Sequence, residues 1–355
     1  MEPIARNFIR VLQDQGFVSN ADLVDGSSVF LMGRQRNRFF VFKQLNKRSF
    51  FIKQAHEGEA GTQQSVTQEA AIYNAVQTHP DFAHLRAWMP EMLHFDPQTT
   101  SITFELLQDA EDVGTRARKS GSIDKTHAAM MGQIAADFHH VSLSSVEGLG
   151  IAFEANPHWI LRLEDDPSPL ASLRGRSPAS AHFIDQIRAD DQIKTTLATC
   201  RASYSCSALI HGDLKCENFL ITPKEPVPSL RLIDWERADI GDPCWDVGWG
   251  IAAFILHQAM QAPTPAPQFD WNTAGAAIAP FWLAYSAAAH QQTDMSKSID
   301  MIAARLLVAG YEYCFAQDTL PELSETLIGL ARALAKPAIR QHLIAILSQR
   351  AQVAA

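Results

Sequence analysis

Three oxygen-bearing side chains stand at fixed short intervals in the middle of this chain. Asp213 and Asn218 lie within Leu209-Ile210-His211-Gly212-Asp213-Leu214-Lys215-Cys216-Glu217-Asn218-Phe219-Leu220-Ile221. Sixteen residues after Asn218 a second apolar run, Leu230-Arg231-Leu232-Ile233, ends in Asp234. An Asp, an Asn and another Asp, each next to a short β-like run, are what ATP-dependent phosphoryl transfer requires. One carboxylate orients the attacking hydroxyl, and an amide oxygen plus a second carboxylate hold Mg²⁺ against the triphosphate. Hard oxygen ligands suit Mg²⁺, which keeps several waters and takes few protein contacts. On this reading Asp213 is catalytic and Asn218 and Asp234 are the metal ligands. A carboxylate is a weak base, so Asp213 would serve more by positioning than by early proton removal.

The pattern His-Gly-Asp-x-x-x-x-Asn resembles the catalytic loop of the aminoglycoside phosphotransferase and choline kinase group, relatives of the protein kinases. Ile233-Asp234-Trp235-Glu236 resembles that group's metal-binding Asp segment, and Gly241-Asp242-Pro243-Cys244-Trp245-Asp246-Val247-Gly248 its Gly-Asp-Pro-x-x-Asp-Leu-Ala signature. The resemblance implies an α+β, bilobal protein-kinase-like fold. A small N-terminal lobe of antiparallel sheet plus one helix would bind the nucleotide, and a larger, mainly helical C-terminal lobe would bind the acceptor. It implies ATP and Mg²⁺ as cofactors, Lys215 as a stabiliser of charge on the moving phosphoryl group, and His211 as a loop anchor. Asp246 would tie down the catalytic loop's backbone. Glu236 could reach the metal or form a salt bridge with Arg237 or another cation. Cys216 and Cys244 read as small buried residues.

The elements around these residues fit such a layout. Ile4, Phe8, Val11 and Leu12 recur at helical spacing. β-like runs follow near Val29–Met32, Phe39–Lys43 and Ser49–Lys53, then a helical segment with Glu69, Ala70, Tyr73 and Val76. A turn is expected at Thr78-His79-Pro80-Asp81, then strands at Met92–Phe95 and Ser101–Leu107. Beyond Asp112 the pattern is mainly helical. The boundary falls at Glu105–Asp109, giving residues 1–108 as the nucleotide-binding lobe and 109–355 as the catalytic and acceptor-binding lobe. Ala262-Pro263-Thr264-Pro265-Ala266-Pro267 is expected as an exposed loop.

Lys53 ends the apolar strand Phe50-Phe51-Ile52, so its ammonium can reach the nucleotide phosphates while a carboxylate holds it still. Glu69, sixteen residues on, is the expected partner. The resemblance assigns these roles to a strand Lys and a helix Glu, and Lys43 is the rival. Adenine is expected between Val29 and Ile52 above and Leu220 and Ile233 below, with backbone groups of Glu105 to Leu107 reading its edge. The turn Gly33-Arg34-Gln35-Arg36-Asn37-Arg38 has one glycine, unlike the protein-kinase G-x-G-x-x-G loop. Between Ala21 and His56 seven Lys or Arg face two Asp. Anion contacts by Arg34, Arg36 or Arg38 and a solvated hairpin remain alternative readings of the 34–48 region.

Composition narrows the partners. A formal net charge of −9 argues against general nucleic-acid binding, which wants a basic face. Five cysteines, odd in number and without a C-x-x-C pair, fit a reducing cytoplasm. The start lacks the apolar core of a signal peptide. Ala274 to Ala289 is too short and interrupted for a membrane span and reads as a buried helix. Only eleven residues separate Asp234 from Asp246, short for the peptide-docking segment of a regulated protein kinase. That favours a hydroxyl-bearing small molecule as acceptor. From Gly250 to Ala355 seven acidic residues face six basic ones, little support for a strongly cationic acceptor. Two alternatives stay open: a Ser/Thr kinase of a peptide in ribosomal natural-product (lanthipeptide-like) maturation, and a non-catalytic pseudokinase.

Overall fold

The structure, a computed structural model, describes residues 3–24, 28–34, 36–45, 47–56, 58–59, 61–164, 168–223, 229–261, 268–289 and 294–354. The 262–267 loop lies outside the described residues, as do Gln35 and the side chain of Arg34.

In chain order the first elements are α1 (Pro3–Asp14), α2 (Asn20–Val24), β1 (Ser28–Arg34), β2 (Arg38–Gln44), β3 (Phe50–Gln54), α3 (Thr62–Thr78), β4 (Met92–Asp96) and β5 (Ser101–Glu105). Next come β6 (Glu111–Asp112), α4 (Val113–Ser120), α5 (Lys125–His139), α6 (Leu143–Glu147), α7 (Ser168–Arg174), α8 (Pro178–Ala189) and α9 (Asp191–Ser203). Short strands β7 (Ala208–Ile210), β8 (Phe219–Thr222), β9 (Ser229–Leu232) and β10 (Asp239–Gly241) lead into α10 (Pro243–Gln261), α11 (Trp271–Ala288), α12 (Met295–Tyr313), α13 (Glu322–Leu334) and α14 (Pro337–Ala354). These form two compact units. The first holds Met1–Ala110, Leu149–Ile151 and Leu220–Ala238; the second holds Glu111–Gly148, Ala152–Phe219 and Asp239–Ala355.

The first unit is built on an antiparallel sheet of order β1-β2-β3-β5-β4. Side chains alternate across a strand, so β3 sends Phe50 and Ile52 to one face and Phe51 and Lys53 to the other. Helix α1 closes the first face. Phe8 and Leu12 are buried with Phe40, Phe42, Phe50 and Ile52, and the rings of Phe8 and Phe40 lie 3.7 Å apart. Each such side chain contributes about 1.5–3 kcal/mol of burial. Helix α3 packs on the other face through Tyr73, whose ring lies 4.7 Å from that of Phe104 on β5. Its buried residues Val66, Glu69, Ala70, Tyr73 and Val76 recur at three and four, which places Glu69 on the sheet side. Helix α3 ends at His79, extended at φ −92° and ψ 130°, because the residue before a proline disfavours the helical region. The turn expected there continues as a 3₁₀ helix, Pro80–Trp88. Proline suits its first position, and His79 Nδ1 accepts from the Asp81 N–H at 3.2 Å.

The second unit is mainly helical. The apolar stretch ending near Ala289 forms α11, with Ala274, Ile278, Phe281 and Trp282 buried and Pro280 inside the helix. On α5, a Cβ at Gly132 would come 2.2 Å from the Phe281 carbonyl oxygen, so only glycine lets α5 and α11 approach this closely. Strands β7 and β10 pair antiparallel, Leu209 opposite Ile240, and deliver the chain into the 211–218 loop. No helix among the described residues is long and apolar enough to cross a membrane.

Candidate active site

The expected site residues divide between the two units. Lys53, Glu69, Val29, Ile52, Glu105, Leu107, Leu220, Ile233 and Asp234 belong to the first; Asp213, Lys215 and Asn218 belong to the second.

In the first unit Lys53 is the hub of an ionic cluster. Its ammonium lies 2.8 Å from Glu69 Oε2 and 2.8 Å from Glu236 Oε2, and it also pairs with Asp234 Oδ1. Burial pulls the Lys53 ammonium down, but the carboxylates of Glu69, Asp234 and Glu236 outweigh it and hold it above the ordinary lysine value. Burial pushes the Glu69 carboxyl up, with Lys53 opposing. Glu69 Oε1 also accepts the Trp235 N–H at 3.2 Å, linking α3 to the segment that carries Asp234. Asp234 is left-handed, φ 69°, a conformation that costs a side-chain-bearing residue energy. Lys43, the rival, is half-exposed and lies 3.6 Å from Asp109 Oδ1.

Glu236 has partners that its sequence neighbours do not suggest. Besides Lys53 it takes the Asn37 Nδ2–H at 2.5 Å and the Arg36 Nη1–H at 3.2 Å, rather than pairing with Arg237. Arg36 therefore closes the β1–β2 turn onto Glu236. Glu69, Asp234 and Glu236 offer carboxylate oxygens within 4.8 Å of one another. Three carboxylates against Lys53 and the partly exposed Arg36 leave excess negative charge in an all-oxygen donor set. A hard divalent cation fits that set.

The face of the sheet that carries Lys53 also carries Val29, Leu31, Val41 and Phe51 by register. Val29 is 53% exposed and Leu31 55%. Ile52 points the other way, 1% exposed in the core beneath α1; the strand's alternation makes it a packing residue, and Phe51 takes its place on the Lys53 face. Leu220 and Ile233 are half-buried while Ile221, Leu230 and Leu232 beside them are buried. Glu105 pairs with Arg48 at 2.9 Å. The Leu106 N–H already donates to the Ser49 carbonyl at 2.8 Å, which removes one of the backbone groups expected to read an adenine edge. Leu107 follows it, half-buried.

In the second unit the 211–218 loop is fixed by backbone bonds. The buried Asp246 carboxylate accepts the His211 N–H at 2.6 Å and the Gly212 N–H at 2.9 Å, and His211 Nδ1 accepts the Asp213 N–H at 3.3 Å. Lys215 Nζ lies 2.6 Å from Asp213 Oδ2. The Asn218 amide nitrogen donates to the Asp213 carbonyl at 2.8 Å, so its oxygen is the end that remains for a cation. Cys216 and Cys244 are buried; burial pushes the Cys244 thiol up to about 12, and it stays protonated.

A pocket of about 510 Å³, mouth included, opens beside this loop within the second unit. It is lined by Lys215 and Glu217 of the loop, Arg118 of α4, Trp249 and His257 of α10 and Arg305 of α12, with apolar side chains between. The sequence signal for it was a lone cation in an apolar helix, Ile302-Ala303-Ala304-Arg305-Leu306-Leu307.

Comparison with known proteins follows the same lines. The model of a family described as the phosphotransferase enzyme family matches residues 30–277. Among solved structures, a choline/ethanolamine kinase family protein from Mesorhizobium loti is 17% identical, covering 95% of this chain and 99% of that one, with a TM-score of 0.55. Choline kinase from Cryptosporidium parvum is 12% identical over 97% and 99%, TM-score 0.58. An amicoumacin kinase, solved in complex with AMP-PNP, Ca²⁺ and Ami, is 11% identical over 92% and 95%, TM-score 0.51. At these identities the likeness is one of fold, and that fold is protein-kinase-like. Among curated proteins none matches the sequence significantly.

Proposed function

The chain belongs to the phosphotransferase enzyme family, and from that premise we propose that it moves the γ-phosphoryl group of Mg·ATP to an alcohol hydroxyl of a small molecule in the cytoplasm. The acceptor oxygen bonds to the γ-phosphorus as the bond from that phosphorus to the bridging oxygen breaks; ADP leaves, and the hydroxyl proton passes to Asp213. Lys215, on the same carboxylate, would steady charge on the phosphoryl group in flight. Lys53, held by Glu69, would neutralise the α- and β-phosphates. When bound, Mg²⁺ would offset the charge of the triphosphate, with Asp234 and the Asn218 amide oxygen as its ligands. Residues 1–108 would then serve chiefly the nucleotide and 109–355 chiefly chemistry and acceptor. Val29, Phe51, Leu220 and Ile233 are our candidates for the adenine surface.

The reading rests above all on the Lys215–Asp213 pair, with Lys215 lining a pocket walled by side chains of α4, α10 and α12. The test is transfer of labelled γ-phosphate from Mg·ATP into fractionated host extract by the wild type and by Asp213→Asn. Asp213-dependent label on metabolites is the expected result. Label on Ser or Thr of a peptide would replace this reading with the peptide-maturation alternative. No Asp213-dependent label in any fraction would argue for a non-catalytic nucleotide-binding protein.

A further inference from the structure

The pocket in the second unit holds hydrogen-bond donors that the protein does not satisfy. Arg305 is 7% exposed at its side chain. Its guanidinium carries five N–H donors, yet its only hydrogen bond among the described residues is a 3.5 Å contact from Nη1 to Glu312 Oε2, on a side chain 48% exposed. The guanidinium carbon lies 3.9 Å from the Trp249 ring centroid, which orients the group without accepting its in-plane protons. The Trp249 Nε1–H is itself buried with no acceptor among the described residues. Native structures leave few buried donors unpaired; the Trp249 N–H is one here, and the Arg305 guanidinium lines the same pocket beside it. Elsewhere in the lining, Lys215 is held by Asp213, and Glu217, the one carboxylate of the lining, lies 3.5 Å from Arg118. Arg305 is the most deeply buried of the three cations, 7% exposed against 35% for Lys215 and 49% for Arg118.

We propose that this pocket recognises an anion. The phosphoryl acceptor would carry, besides its hydroxyl, a carboxylate or phosphate group received by the Arg305 guanidinium and the Trp249 indole N–H. This rests on the phosphotransferase reading for the word acceptor, but not for the binding itself. A planar guanidinium suits either oxyanion through paired N–H donors. A quaternary ammonium would instead seek an aromatic face, and Arg305 already covers one face of Trp249. A polycation would meet a buried charge of its own sign.

The test is calorimetric titration of the chain saturated with Mg²⁺ and AMP-PNP, so that the nucleotide site is filled. The probes are glycerate for the carboxylate arm, glycerol 3-phosphate for the phosphate arm, and choline as the cationic control. One of the two anions should bind more tightly than choline. Arg305→Met should weaken that anion roughly 10- to 100-fold, Arg305→Lys less, and Trp249→Phe by a few-fold. Arg305→Lys keeps the charge, so it reads the guanidinium's geometry even if the methionine variant fails to fold. Tighter binding of choline, no binding of either anion, or equal anion affinity in the arginine variants would each overturn the proposal. Turnover plays no part in this readout: absence of Asp213-dependent transfer removes the phosphotransferase reading, whereas unchanged anion affinity removes this one.

Discussion

Around Lys53 in the first unit, three carboxylates converge on one ammonium; around Asp213 in the second, one carboxylate meets one ammonium and backbone amides do the rest of the holding. The first arrangement is rich in charge: its carboxylates share one buried cation. The second is poor in spare charge and rigid, since Asp246 grips two consecutive N–H groups from a fully buried position. A nucleotide site must neutralise a large incoming charge, whereas a catalytic loop must hold one oxygen in place. On the proposed function the two regions would differ as those tasks differ.

The sharpest division between them comes from Asp213→Asn. Phosphoryl transfer should fall roughly 10²–10⁴-fold, the scale of a positioned proton acceptor, while nucleotide binding and melting temperature stay near wild type. A matching loss of nucleotide affinity would mean that the two regions are not separable.

Lys53→Met should do the reverse, acting first on stability. It leaves Glu69, Asp234 and Glu236 facing one another without the ammonium they share. Removing one partner of a buried ion pair costs about 3–5 kcal/mol. Thermal unfolding should show a large drop that added Mg²⁺ partly restores, because the cation replaces the lost charge. A loss under about 1 kcal/mol would place the cluster among weak surface pairs and erase the contrast.

Asp246→Asn tests the rigid side at smaller scale. The amide keeps one acceptor oxygen and sets an NH₂ group against an N–H donor, so one of His211 and Gly212 loses its bond. An unsatisfied buried N–H costs about 1–3 kcal/mol. Transfer should fall with Mg·ATP binding unchanged, measured as kcat against nucleotide affinity. An unaltered kcat would show that Asp213 needs no such anchoring.

The sequence carried the pairing of Lys53 with Glu69 and the antiparallel sheet because each is local or matches a family pattern at fixed spacing. It misplaced Ile52 on the nucleotide face, although counting back two residues from Lys53 reaches Phe51. It left Glu236 between two roles because its partners, Asn37 and Arg36, lie about two hundred residues away in the chain. Arg305, Trp249 and Arg118 come from three separate helices, so no window of sequence could show that they line one pocket. Pattern reads what a strand or loop does alone; the charge excess at Lys53 and the donor excess at Arg305 arise only when distant segments meet.

The smallest predicted effect compares two residues of like backbone. Gly212 and Asp234 both take left-handed conformations, at φ 76° and φ 69°. At Gly212 no side chain is needed, only a loop sharp enough to present both N–H groups to Asp246, and glycine adopts the turn freely. At Asp234 the carboxylate is the point, so the strain of a Cβ in that region is kept. Gly212→Ala should therefore destabilise by about 1–2 kcal/mol, a fall in melting temperature of about 2 °C or more for a chain of this size. Asp234→Gly relieves the same strain but removes one carboxylate from a cluster with too many, so its melting temperature should hold or rise. Its metal-dependent nucleotide binding should nevertheless disappear. If Asp234→Gly instead lowers the melting temperature as Gly212→Ala does, the carboxylate serves the fold through Lys53 before it serves any metal, and the first region is no less structural than the second.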